Sequence, residues 1–339
     1  MIASPIDLIA ELKYYLDTHH NIEKDSRYAG NKHVFEVCIE ELEDRLSIDE
    51  KMILMDLHLC YTNSLAAARE NDLGTAQFWL NNAKQIPPFE QPILQMLVDL
   101  NHLPALAFYL YKDQQFDEAI DLLQKTITIS GLFQEESGID YIVWGQMEDY
   151  INIFRVHCTN KNTEQALLYA SAILKAIACL ELSPGFLEDV SLDVLKKAEI
   201  NFINYATNDI IKRLLFSTEL PLKTILEKVF FPLIYTENAK ECPNEGYIET
   251  LKVLEAIANA NFDQAKELLQ FDPLQFHKQA HLLQFTLIEF LIPFLKNQAD
   301  AEMKNALAQQ INDYYLQELM IQPMILQKYS GLDYTPSIA

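Results

Sequence analysis

A handful of side chains in this 339-residue chain have the type and spacing that chemistry requires. His277 and His281 stand four apart, so on a helix they share a face and could chelate a metal. No glutamate follows His277 in the zinc-protease arrangement, and no third ligand is evident. Asp99 precedes His102 by three residues, but a di-iron bundle needs Glu-x-x-His on two helices, and the chain holds no such pair. Glu40, Glu41, Glu43 and Asp44 form an acidic run without the Asp-Asp-x-x-Asp spacing that would gather oxygen ligands for Mg²⁺. After Asn208-Asp209, Lys212 and Phe216 stand where a second Mg²⁺ motif would need a hydroxyl and a glutamate. The adjacent His157 and Cys158 would point about 100° apart on a helix, too far for a nucleophile and its base. No Gly-x-Gly occurs, which removes the commonest dinucleotide and phosphate loops. The expectation is no catalytic residue, no cofactor and no metal.

Composition narrows the partners. Lys and Arg number 26 against 49 Asp and Glu, a net charge of −23. Phosphate neutralisation needs a basic surface, so nucleic acid is disfavoured, and anionic membranes with it. Arg27, Arg45, Arg69, Arg155 and Arg213 are the only arginines and do not cluster in sequence. A basic or amphipathic polypeptide suits this charge better. Residues 1–10 lack a basic stretch followed by an apolar one, and no apolar run reaches about 18 residues. Five widely spaced cysteines, an odd number without Cys-x-x-Cys, read as reduced thiols. A cytoplasmic protein is expected; secretion of an effector without a cleavable signal is also compatible.

The elements that must position any site are helices. Half the residues are apolar, and they recur at helical spacing nearly throughout. Glycine is scarce, 8 residues or about 2% against a usual ~7%, which leaves little for hairpins and close backbone turns. Ser47-Ile48-Asp49-Glu50 is a capping box that opens a helix. Other helices are expected near 32–46, 74–85, 90–100, 102–113, 116–130, 138–158, 163–181, 190–216, 220–235, 245–260, 262–270, 274–297 and 300–320. Pro87-Pro88, Ser183-Pro184-Gly185, Cys242–Gly246 and Asp272-Pro273 punctuate them.

One pattern recurs along these helices. Leu103, Leu106, Ala107 and Leu110 lead into Phe116-Asp117-Glu118-Ala119-Ile120 and Leu123. Asn71–Ala76 leads to Leu80, Ala83 and Pro88; Asn162–Ala166 to Ala170 and Ile173; Asn261–Ala265 to Leu269 and Pro273. Each copy has a short polar turn, an acidic or amide residue, and an alanine in the same relative place. The pattern resembles the tetratricopeptide repeat, in which two antiparallel helices form a hairpin and hairpins stack. Its alanines, Ala76, Ala119, Ala166 and Ala265, are 43, 47 and 99 residues apart, against a family period of about 34. The tryptophan of the family's first helix is absent. The copies are degenerate, with longer helices.

The resemblance implies an all-α fold, a right-handed superhelical array of antiparallel helix hairpins, or α-solenoid. On it the chain divides into N-terminal capping helices (1–56), hairpins (57–182), a long-helix segment (183–243), C-terminal hairpins (244–329) and a tail (330–339). It also implies that first helices line a concave surface. Carried over copy by copy, that surface holds His58, Tyr61 and Arg69, then Asn101, Phe108, Tyr111 and Lys112, then Glu148 and Arg155. The function implied is protein or peptide binding, as adaptor, chaperone-like or regulatory factor, without catalysis. The rival is an all-α enzyme with a cavity between helices. The two differ in lining: Tyr, Asn and Lys/Arg in an open groove for the first, convergent carboxylates or histidines in a closed pocket for the second.

Overall fold

The computed structural model describes residues 34–186, 192–196, 200–237 and 245–269. Among the described residues there are twelve α-helices and no strands, so the chain is all-α. Helix α1 (Val34–Glu41) is followed by a 3-10 turn (Glu43–Arg45), then by α2 (Ile48–Arg69) and α3 (Leu73–Ala83). Next come α4 (Pro92–Lys112), α5 (Phe116–Ser137), α6 (Ile142–Thr159) and α7 (Thr163–Cys179). The short α8 (Leu192–Leu195) leads to α9 (Ile200–Ser217) and α10 (Leu222–Ile225), which runs on through a π turn (Leu226–Phe230) and a 3-10 turn (Phe231–Tyr235). Helices α11 (Glu245–Ala258) and α12 (Phe262–Leu269) complete the described residues.

The expected capping box opens α2. Ser47 Oγ accepts from Glu50 N at 3.2 Å, and the Glu50 carboxylate accepts from Ser47 N at 2.8 Å. The helix runs through residues 56 and 57, where a domain boundary was expected. The expected helices at 90–100 and 102–113 are one helix, α4, with Pro104 in its interior. Proline cannot donate to the carbonyl of Leu100, yet packing on α2 and α5 holds α4 continuous. The expected helices at 274–297 and 300–320, and the pair His277 and His281, lie outside the described residues.

One turn is used four times. Asn71, Gln114, Lys161 and Ala260 all have φ between 56° and 63°, the left-handed conformation. The next residue donates its N–H to a carbonyl five positions back. Asp72 reaches Ala67 at 3.0 Å, Gln115 reaches Leu110 at 2.9 Å, Asn162 reaches His157 at 2.9 Å and Asn261 reaches Ala256 at 2.8 Å. The left-handed residue donates three back, to Ala68, Tyr111, Cys158 and Ile257. Together these are the two closures of a Schellman motif. The closing residue is then the N-cap of the following helix. Asp72, Asn162 and Asn261 accept from the backbone N–H three residues on. Gln115 makes no such side-chain bond.

Four residues after each N-cap stands the alanine of the sequence pattern. Ala76, Ala119, Ala166 and Ala265 are all 0% exposed. The missing side chain lets the second helix lie close against the first. Ser64 on α2 shows how close: its hydroxyl donates to the carbonyl of Ala76 on α3 at 3.0 Å. The hairpins are α2–α3, α4–α5, α6–α7 and α11–α12. Between the third and fourth, α9 folds against α10, and Ile225 takes the alanine's place, four residues after its N-cap Pro221 and 0% exposed. The sequence pattern does not show this hairpin, because its turn has no left-handed residue and its second helix is interrupted.

Packing follows chain order. Helix α4 packs on α2, α5 on α6, α7 on α9 and the π turn, and the 3-10 turn on α11. The buried apolar residues form one large cluster across α6, α7, α9, the π turn and α11, and a second across α1, α2 and α4. Helix α1 departs from a plain end cap. It lies against α4 and α6, where Gly145 leaves room for Val34.

Helix α4 has the length and apolarity of a membrane-crossing segment, but its Leu94, Leu97, Val98, Leu103, Ala105 and Ala107 are buried against the neighbouring helices.

If close helix approach sets the hairpin, Ala119→Leu should overpack it and lower stability by about 1–3 kcal/mol in chemical denaturation. Gln114→Gly, which relieves a left-handed residue, should leave stability unchanged or raise it.

Candidate functional site

Four of the helices that open hairpins, all but α11, turn one face to a common cavity of about 780 Å³. That is within the range of about 300–1,000 Å³ usual for ligand pockets. Helices α2, α4, α6 and α9 contribute to it, together with α5 and α1. From α6 come Gly145, Glu148, Asp149, Asn152, Arg155 and Val156, a single helical stripe. From α4 come Asn101, Pro104, Phe108 and Tyr111, again at helical spacing, and α2 gives Arg69.

Arg155 is the centre of the polar wall. Its Nε donates to Asp209 Oδ2 at 2.8 Å, Nη1 to Asn152 Oδ1 at 2.8 Å and Nη2 to the Tyr205 hydroxyl at 2.6 Å. The guanidinium carbon also lies 5.9 Å from the Tyr205 ring centroid. Arg213 donates to both oxygens of Asp209 at 3.1 Å. The Arg155 and Asp209 side chains are only 21% and 18% exposed. Burial works against the charge on Arg155, but Asp209 and Tyr205 outweigh it and hold the guanidinium protonated. One carboxylate thus ties two arginines from different helices, and α6 to α9.

Glu148 and Asp149 bring carboxylates to the same face. Burial raises the Glu148 pKa; the Asp209 charge adds to this, while Arg155 and a hydrogen bond to Tyr205 oppose it. Asp149 is 5% exposed, and burial pushes its pKa well above the usual range, with the Glu148 charge acting in the same direction. Convergent carboxylates and mixed Tyr, Asn and Arg lining therefore occur together.

The expected site residues separate into three groups. Arg69, Asn101, Phe108, Tyr111 and Arg155 line the cavity, as does Glu148. His58 stands one layer behind: it stacks on Phe35 at 4.9 Å, and its Nδ1 lies 3.0 Å from Asn101 Nδ2. The amide can only donate, so the ring proton sits on Nε2. Burial lowers the His58 pKa, partly offset by Glu36 and Asn101. Tyr61 is corrected from groove to core: it is 3% exposed and packs on His102 at 5.1 Å. Lys112 is a clasp between hairpins, donating to Asn71 Oδ1 at 2.9 Å and lying 5.8 Å from the Phe108 ring centroid.

Tyr111 also bridges elements. Thr159 Oγ1 donates to the Arg155 carbonyl, so the Tyr111 hydroxyl donates to Thr159 at 2.9 Å. Asp149 and Asn152 were missed, although the stripe through Glu148 and Arg155 passes through both. Tyr205, Asp209 and Arg213 belong to α9, whose hairpin carries no repeat signature.

Other candidate chemistry lies in packing or solvent. The acidic residues Glu40, Glu41, Glu43 and Asp44 are exposed. His157 packs on Tyr169 at 5.3 Å, and burial pushes the Cys158 thiol up to about 12. Cys38, Cys60, Cys158 and Cys179 are free thiols. Among the described residues, no three His, Cys, Asp or Glu side chains are grouped to hold a metal ion. Compared with protein-family models, curated proteins and solved structures, the chain matches none.

The carboxylate of Asp149 gives a pH signature. Its folded pKa is raised, so its contribution to stability is complete below the unfolded value of about 3.9 and is lost as pH rises through the folded value. Asp149→Asn should melt a few degrees above the wild type at pH 7, with the difference shrinking toward pH 5 in thermal denaturation followed by circular dichroism.

Proposed function

We propose that this chain is a helical-repeat protein that binds another polypeptide in the cavity lined by α2, α4 and α6. The hairpins are read as degenerate tetratricopeptide-like repeats that continue into a right-handed α-solenoid. The protein would act as an adaptor, chaperone-like or regulatory factor. The observation that carries this reading is the four-fold reuse of one turn, with a fully buried alanine at the same place after each. Hairpins built alike turn their first helices the same way, which gives an extended surface of the kind such arrays use for recognition. The lining supports a peptide: Asn101 and Asn152 for backbone groups, Phe108 and Tyr111 for side chains. The net charge favours a basic or amphipathic partner over nucleic acid or an anionic membrane. A cytoplasmic setting, or secretion without a cleavable signal, belongs to the same reading.

A second reading is favoured by Glu148 and Asp149, whose raised pKa values would suit a general acid in an all-α enzyme. Turnover of a small molecule from cell extract, abolished by Asp149→Asn, would distinguish it.

The test of the leading reading is affinity capture from the native cell with groove variants alongside. A partner held in the cavity should lose roughly tenfold or more in affinity with Phe108→Ala or Tyr111→Ala. Phe78→Ala, at an exposed position on α3, should change nothing. Equal capture by all three variants would contradict the placement of the site, and no capture at all would contradict the function.

A further inference from the structure

Asp149 is a buried acid for which the fold supplies no counter-ion. It sits on the cavity stripe of α6, one turn after Gly145 and three residues before Asn152, and is 5% exposed. Among the described residues, no donor or cation lies within hydrogen-bonding distance of its carboxylate. The charge that acts on it is that of Glu148, another acid. Two of the three arginines that line the cavity are already engaged: Arg155 is turned to Asp209, Asn152 and Tyr205, and Arg213 to Asp209. Arg155, Arg213 and Asp209 form one bonded group; Asp149 on α6 and Arg69 on α2 line the cavity outside it. Burying a carboxylate without a partner is unfavourable, and a neighbouring acid makes it worse. A titratable group perturbed in this way on a cavity wall marks a place where a ligand can bind.

The surroundings fit a cation on an apolar stem. Phe108, Trp144 and Tyr205 line the same cavity, and two of these rings already lie near a cation, Phe108 near Lys112 and Tyr205 near Arg155. The net charge of −23 draws positive groups towards the protein before contact.

We propose that Asp149 is the counter-ion for a lysine or arginine side chain of the bound polypeptide, which enters the cavity past Phe108 and ends on the carboxylate. The proposal rests on the reading of the cavity as a polypeptide site. Asp149 and an incoming ammonium or guanidinium form a charge-assisted hydrogen bond on the cavity wall.

The experiment exposes the full chain to a library of random hexapeptides with acetylated and amidated ends, and sequences those retained. Wild type should enrich a lysine or arginine at one position by about tenfold over the input. Asp149→Asn should abolish that enrichment while still retaining peptides, and Asp149→Glu should keep part of it. Equal enrichment with Asp149→Asn, or a retained pool without basic residues, would overturn the proposal and leave the polypeptide site standing. Retention of no peptide by the wild type would overturn both. A second measurement stands apart from the variants. N-acetyl-lysine methylamide and N-acetyl-arginine methylamide at millimolar concentration should raise the wild-type melting temperature, and which raises it more identifies the preferred head group. N-acetyl-norleucine methylamide, with the same stem and no charge, should not. An equal rise with norleucine would overturn the assignment of Asp149.

Discussion

Everything in this fold depends on how closely two consecutive helices approach. The approach is set by a turn of fixed geometry, one left-handed residue between two hydrogen-bonded closures, and by an alanine four residues into the second helix. The turn satisfies carbonyls at the end of one helix and begins the next within three residues. With the angle and spacing of each pair fixed locally, the first helices of successive pairs need little further instruction to present one face. A generic bundle would place alanines at such positions without repeating the turn.

The polar wall follows from that geometry. Helix α6 carries Arg155 on the stripe that lines the cavity, where it meets α9 directly. There Asp209 holds Arg155 and Arg213 together, in a setting where each partner satisfies the others and removal of one would leave a partly buried charge unpaired. This network is structural as much as functional, and it accounts for why Arg155, read as a ligand contact, is fully engaged within the protein. Asp149, a few residues earlier on the same stripe, is left outside the network. The two positions thus contrast on one helix: an arginine engaged within the protein and an aspartate that lines the cavity apart from that network.

Much of the fold was legible because its devices are local. Ser47 and Glu50 announce a helix start, and Asp72, Asn162 and Asn261 announce three more, through bonds that span three residues. The alanines mark the crossings. The break expected between residues 100 and 102 is absent because the packing of α4, which tolerates even Pro104 in its interior, is a tertiary gain that no short window shows. The groove was half legible. Asn101, Phe108 and Tyr111 follow from the repeat resemblance, but Tyr61 and Phe108 are both aromatic at first-helix positions, and only tertiary packing sends one into the core. Asp209 and Arg213 were illegible as site residues, since Ile225 replaces the alanine of their hairpin and the turn before it is different. The placement of α1 against α4 and α6 is likewise a long-range contact without a local signal.

The central claim is that the cavity face of the first helices, and not the outer face of the hairpins, receives the partner. The most direct measurement places a photoreactive benzoyl-phenylalanine at Phe108 or at Phe78 and cross-links the protein in its native cell extract. A covalent adduct with a polypeptide at Phe108 and none at Phe78 is the predicted result. An adduct at Phe78 with none at Phe108 would contradict it.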